Sequence, residues 1–170
     1  MKVIPTLMGI ASCVALGAQA HADDFVFSVT APDFKVTLPG IPRMQMDVHP
    51  MHAEHPQLRY LGTDGAYTVA IMTPTAQKGM NPLECASATL GTIVKRAGAP
   101  AREEMVRAKL NERTYVAIYG TPLPTALQLS AHLMSAAGGT HCVEVHVTKV
   151  STSQDDIDSW VKRFDNADIQ

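Results

Sequence analysis

LQLSAHLMSAAGGTHCVEVHVTKV, residues 127–150, is the stretch whose reading decides the fold. Leu127, Leu129, Ala131 and Leu133 alternate with Gln128, Ser130, His132 and Met134. Past Ala136-Ala137-Gly138-Gly139, Val143, Val145 and Val147 alternate with Cys142, Glu144, His146 and Thr148. Successive side chains of a strand point to opposite faces, so the stretch predicts a β-hairpin with one apolar face and one mostly polar face. Pairing Leu133 with Val143 keeps the apolar faces together. It sets His132 opposite Glu144, Ser130 opposite His146 and Met134 opposite Cys142. Directly opposed Cβ atoms lie about 4.5–5.5 Å apart, so His132 and Glu144 can touch. His132, Glu144 and His146 are therefore expected to form a partly exposed polar patch.

Outward from the hairpin, alternation predicts strands over Phe25–Val29, Phe34–Leu38 and Met44–Val48. Leu58–Gly62 and Tyr67–Thr73 flank Thr63-Asp64-Gly65, a hairpin turn in which glycine can take positive φ. Met105–Leu110 and Arg113–Tyr119 read as strands around Asn111-Glu112. A helix is predicted over Leu83–Ala97, with Asn81 as N-cap, Pro82 at the first position and Glu84 able to reach back to the cap. Its apolar face is Leu83, Ala86, Leu90, Ile93, Val94 and Ala97, beside Cys85, Ala88 and Thr92. A closing helix, capped by Ser153, carries Ile157, Trp160, Val161 and Phe164 at i, i+3, i+4 and i+7. The expected fold is α+β: a largely antiparallel sheet of about eight or nine strands, with a mid-chain helix and a C-terminal helix packed on it.

This order of elements resembles the PsbP/Mog1 type of α-β-α sandwich. The early hairpins, central helix, long meandering strands and closing helix carry the resemblance over most of the chain. It implies a partner- or ligand-binding role without catalysis, and it carries over no individual site residue.

The 170 residues suit one domain, and 46% hydrophobic with 18% charged residues is an ordinary globular balance. A formal net charge of −2 offers no electrostatic case for nucleic acid or an anionic membrane. Lys2, the apolar run Val3–Leu16 and Ala18-Gln19-Ala20 read as a secretory signal. Ala20-His21-Ala22 overlaps it, so cleavage after Ala22 or after Ala20 is open; the former assigns residues 1–22 to the signal and 23–170 to a single domain. Ile10-Ala11-Ser12-Cys13 resembles a lipoprotein box, but the apolar run continues past Cys13, so a cleaved signal and a periplasmic location are preferred. Cys85 and Cys142 then remain, and an even pair in an oxidising compartment predicts a disulfide. Such a bridge would pin the first helix over the Cys142 end of the polar face, leaving the Ser130–His146 end open.

Chemistry is sparse. There is no Gly-x-Ser-x-Gly elbow, no His-Glu-x-x-His and no phosphate loop. His141 and Cys142 are strand neighbours pointing to opposite faces, so they cannot act as a pair. No catalytic residue is assigned. The expected function is non-enzymatic binding of an envelope protein or a small ligand, without a cofactor. The alternative is a copper or zinc site on His49, His52 and His55 with Met51, since imidazole and thioether suit copper. Met44 and Met46 share a strand face with Val48 and are read as core filling. Lys95, Arg96, Arg102, Glu103, Glu104, Arg107 and Lys109 are of mixed sign and read as solvated surface.

Overall fold

A computed structural model describes residues 24–74, 80–96, 98–138, 141–151 and 156–170. The expected signal segment, with Cys13, and the Ser153 cap lie outside the described residues. In chain order the strands are β1 (Asp24–Thr30), β2 (Asp33–Pro42), β3 (Asp47–Val48), β4 (Leu58–Thr63) and β5 (Tyr67–Met72). Helix α1 (Pro82–Ile93) follows, then β6 (Val106–Lys109), β7 (Tyr115–Pro122), β8 (Leu127–Ala137) and β9 (His141–Ser151). Helix α2 (Asp156–Arg163) and the short β10 (Asp168–Ile169) close the chain.

The sheet is antiparallel throughout, as expected, but it is split. Seven strands run in the order β3-β4-β5-β9-β8-β7-β6, and a separate sheet of three runs β1-β2-β10. The odd-numbered residues of β8 and β9, Leu129, Ala131, Leu133, Val143, Val145 and Val147, form one floor of the main core. Phe25, Val29, Phe34, Val36 and Leu38 of the small sheet, Trp160 of α2 and Phe164 just past it close over it. Met44 and Met46 pack against this core from its edge, as read from their spacing. The Thr63-Asp64-Gly65 turn forms with Gly65 at φ +91°, and Asp64 Oδ1 accepts from the N–H groups of Ala66 and Tyr67.

Helix α1 lies on the opposite face of the large sheet. Its start is fixed by a reciprocal cap: Glu84 N–H donates to Asn81 Oδ1 at 3.0 Å, and Asn81 N–H donates to Glu84 Oε2 at 2.8 Å. Cys85, Ala86, Thr89, Leu90 and Ile93 are its buried residues. Leu83, expected on the buried face, is 55% exposed. The cause is covalent: Cys85 is bonded to Cys142 on β9, with Cα atoms 5.3 Å apart, which turns the Cys85–Thr89 side of the helix to the sheet. Among the described residues no helix is long and apolar enough to cross a membrane.

Candidate functional site

The polar face of the β8–β9 hairpin is enclosed rather than partly exposed. His132 is fully buried and Glu144 is 2% exposed, because α1 covers them. Their register differs from expectation by two residues. His132 stands opposite His146, Met134 opposite Glu144, Ser130 opposite Thr148 and Ala136 opposite Cys142. The strands pair up to Ala137 and His141, with Gly138 at φ +58° leaving β8. A slip of two residues returns every side chain to the same face, so alternation alone does not detect it.

The His132–Glu144 contact survives on the diagonal. His132 Nδ1 lies 2.7 Å from Glu144 Oε1, and Tyr119 Oη lies 3.2 Å from His132 Nε2. A carboxylate only accepts, so His132 Nδ1 is the donor in the bond to Glu144. His146 stacks on His132 with ring centroids 4.0 Å apart and planes 9° from parallel. Tyr119 lies nearly parallel on its other side, centroids 5.6 Å apart. Burial holds His146 neutral, with its pKa down at about 3, and the neighbouring His132 and Arg96 push the same way. Its Nε2 is buried and makes no hydrogen bond among the described residues. Burial also pushes the Tyr119 hydroxyl above its ordinary range, against a lowering hydrogen bond with Ser130.

Glu144 is where this buried row meets solvent. Its Oε2 faces Arg96 Nη2 at 3.7 Å, beyond hydrogen-bond reach, and the Arg96 side chain is 43% exposed. Both residues line a groove of ≈ 840 Å³ whose walls also include Leu58, Met72, Met80 and Thr89. Strands β4 and β5 supply one wall and α1, through Ala88, Thr89 and Thr92, the other, and Cys142 lies between them. Arg96, read from the sequence as solvated surface, instead turns back from the end of α1 toward the sheet. Tyr119 and Met72 were not marked by any pattern either. Met72 lies on β5, far in sequence from the hairpin, and Tyr119 lies on β7, the strand just before it; each reaches the site through sheet pairing.

In the histidine loop, two of the rings bond nearby backbone groups. Met51 N–H donates to His49 Nδ1 at 3.1 Å, and His52 Nδ1 lies 2.7 Å from the Leu58 carbonyl, which it can only meet as a donor. The backbone N–H of His55 donates to the Met51 carbonyl. Among the described residues no group of three or more His, Cys, Asp or Glu side chains is placed to hold a metal ion. Met51 is 47% exposed.

No family model matches the chain, and no curated protein matches it.

Proposed function

We propose that the chain is a secreted, periplasmic binding protein without catalytic activity, and that the groove between α1 and strands β4, β5 and β9 is its ligand site. The observation that carries this is the groove itself: ≈ 840 Å³, large enough for a small molecule, with a buried carboxylate in a wall of mixed polar and apolar side chains. Binding is favoured over catalysis because His132, the imidazole with both a carboxylate and a hydroxyl at its nitrogens, is fully buried and has no path to a substrate. The signal-like N-terminus and the Cys85–Cys142 bridge support an oxidising compartment outside the cytoplasm. The resemblance to PsbP/Mog1 proteins points to the same non-enzymatic role.

The test is a thermal-shift screen of the mature protein against small-molecule extract from the cell envelope, beside the variant Ala88→Trp. Ala88 lines the groove from the exposed side of α1, so the indole fills the space without entering the core. The extract is expected to raise the melting temperature of the wild type and not of the variant. Equal shifts, or none in either protein, would sink the reading.

A further inference from the structure

The charges on the groove wall define what it selects. Arg59, Arg96 and Glu144 are its Arg, Lys, Asp and Glu residues among those described. Arg59 is engaged elsewhere, donating through Nη2 to the Ala31 carbonyl at 2.8 Å. A neutral carbonyl does not cancel the Arg59 charge, and Glu144 and Arg96 are the carboxylate and guanidinium that face each other across the wall. They are not equivalent. Glu144 is almost wholly buried and held in place, since Oε1 is bonded to His132 and the backbone lies in the interior of β9. Arg96 is half-exposed on the turn that follows α1, and its guanidinium stops short of a hydrogen bond to Oε2. A buried carboxylate oxygen strongly favours a direct donor, and a loose, half-solvated pair gives it little. The wall therefore holds a fixed acceptor whose donor is exchangeable.

We propose that this groove binds a small zwitterion, an ammonium and a carboxylate on one carbon with an apolar side chain, as in a free aliphatic amino acid; this rests on the groove being the ligand site. The ammonium donates to Glu144 Oε2 and takes over the place that Arg96 fills at 3.7 Å. Arg96, released, receives the ligand carboxylate through two parallel N–H donors. Glu144 Oε2 and the Arg96 guanidinium then each make direct hydrogen bonds in place of one loose contact. Leu58, Met72 and Met80 offer the apolar surface for the side chain, and unbranched thioethers adapt to its shape. A neutral apolar ligand or a simple anion would bring no new donor to the Glu144 carboxylate.

The experiment titrates the mature, oxidised protein by calorimetry with three probes: L-methionine, N-acetyl-L-methionine, which lacks the cation, and L-methioninamide, which lacks the anion. Methionine is expected to bind, and each blocked derivative to bind at least tenfold more weakly. Glu144→Gln keeps an oxygen to accept from His132, so it should fold with an unchanged circular dichroism spectrum and still lose methionine binding at least tenfold. Arg96→Ala should weaken methionine and leave the amide binding no weaker, because the amide never used the guanidinium and no longer has to displace it. Binding of N-acetyl-L-methionine as tight as that of methionine would overturn the proposal, as would absence of methionine binding or retention of it in a folded Glu144→Gln protein. The Ala88→Trp comparison with envelope extract separates the two levels. If that shift is groove-dependent while the methionine series fails, the groove binds a different class of ligand; if both fail, both readings fall.

Discussion

At the scale of single residues, Glu144 and His146 carry the strongest expectations. Glu144→Ala leaves His132 buried without its acceptor. Breaking a buried, hydrogen-bonded pair from one side costs on the order of 3 kcal/mol, whereas Glu144→Gln, which retains the acceptor, should cost less than half as much in urea denaturation. His146 sets an acid limit. Its folded pKa of about 3 lies below the ordinary 6.5, so between those values the unfolded chain binds the extra proton. Stability is then full above the unfolded value and falls as pH drops through the window toward the folded value. Between pH 6.5 and 4.5 this one group accounts for a loss of roughly 2–3 kcal/mol at most. His146→Phe preserves a flat ring against His132 and removes the titration, so its stability should change less over that interval than that of the wild type. A slope identical to wild type would assign the acid sensitivity to other groups. The sequence shows these residues sharing one face, because alternation assigns faces. It does not show that the face is sealed, or that Arg96 and Tyr119 join it, because the first contact comes from a helix end far along the chain and the second depends on the β7–β8 register.

At the scale of elements, α1 is held by two devices of different kind, and both are written locally in the sequence. Asn81, Pro82 and Glu84 spell the capping box, and Cys85 supplies the cross-link. Asn81→Ala should cost about 1 kcal/mol, since each half of the reciprocal cap depends on the asparagine. Replacing both cysteines by alanine removes a bridge between positions 57 apart, for which the chain-entropy model gives roughly 4 kcal/mol. Because the bridge joins α1 to the strand that bears Glu144, the loss should also reach the site. Hydrogen exchange should quicken in α1 and in the 141–146 end of β9 before it quickens in the small sheet. The rotation of α1 about its axis was not legible. Its apolar residues span a wide arc, and only the position of Cys142 in the fold decides that Cys85 and Thr89, not Leu83, face inward. The hairpin register was hidden for a related reason: the pattern repeats every two residues, and so do the registers it permits.

At the scale of the whole molecule, the two sheets are separate in hydrogen bonding and joined in packing, with β10 as one tie between them. A two-residue strand has no period to read, which is why the sequence shows neither β10 nor the division into sheets of seven and three. Its residues are nonetheless tightly placed. Ile169 is 1% exposed within the main core, and its N–H donates to Thr114 Oγ1 at 3.1 Å. The same hydroxyl donates to Asp168 Oδ1 at 3.1 Å, and Asn111 Nδ2 donates to that oxygen at 2.9 Å. Partial burial raises the Asp168 pKa, but hydrogen bonds from Gln170, Asn111, Thr114 and the Ile169 backbone outweigh it and hold the carboxyl below its ordinary range. The chain end is thus clamped at once to β2 of the small sheet and to the β6–β7 turn of the large one. If this clamp and the shared core make the sheets one cooperative unit, Ile169→Ala should lower stability by about 2–5 kcal/mol in a single transition. Tryptophan fluorescence reports Trp160 in the shared core, and far-ultraviolet circular dichroism reports mainly the larger sheet and α1. The two signals should move together in urea for the wild type and the variant alike. An Ile169→Ala protein whose fluorescence midpoint falls well below its circular dichroism midpoint would show the small sheet and α2 detaching first, and the large sheet with its groove standing without them.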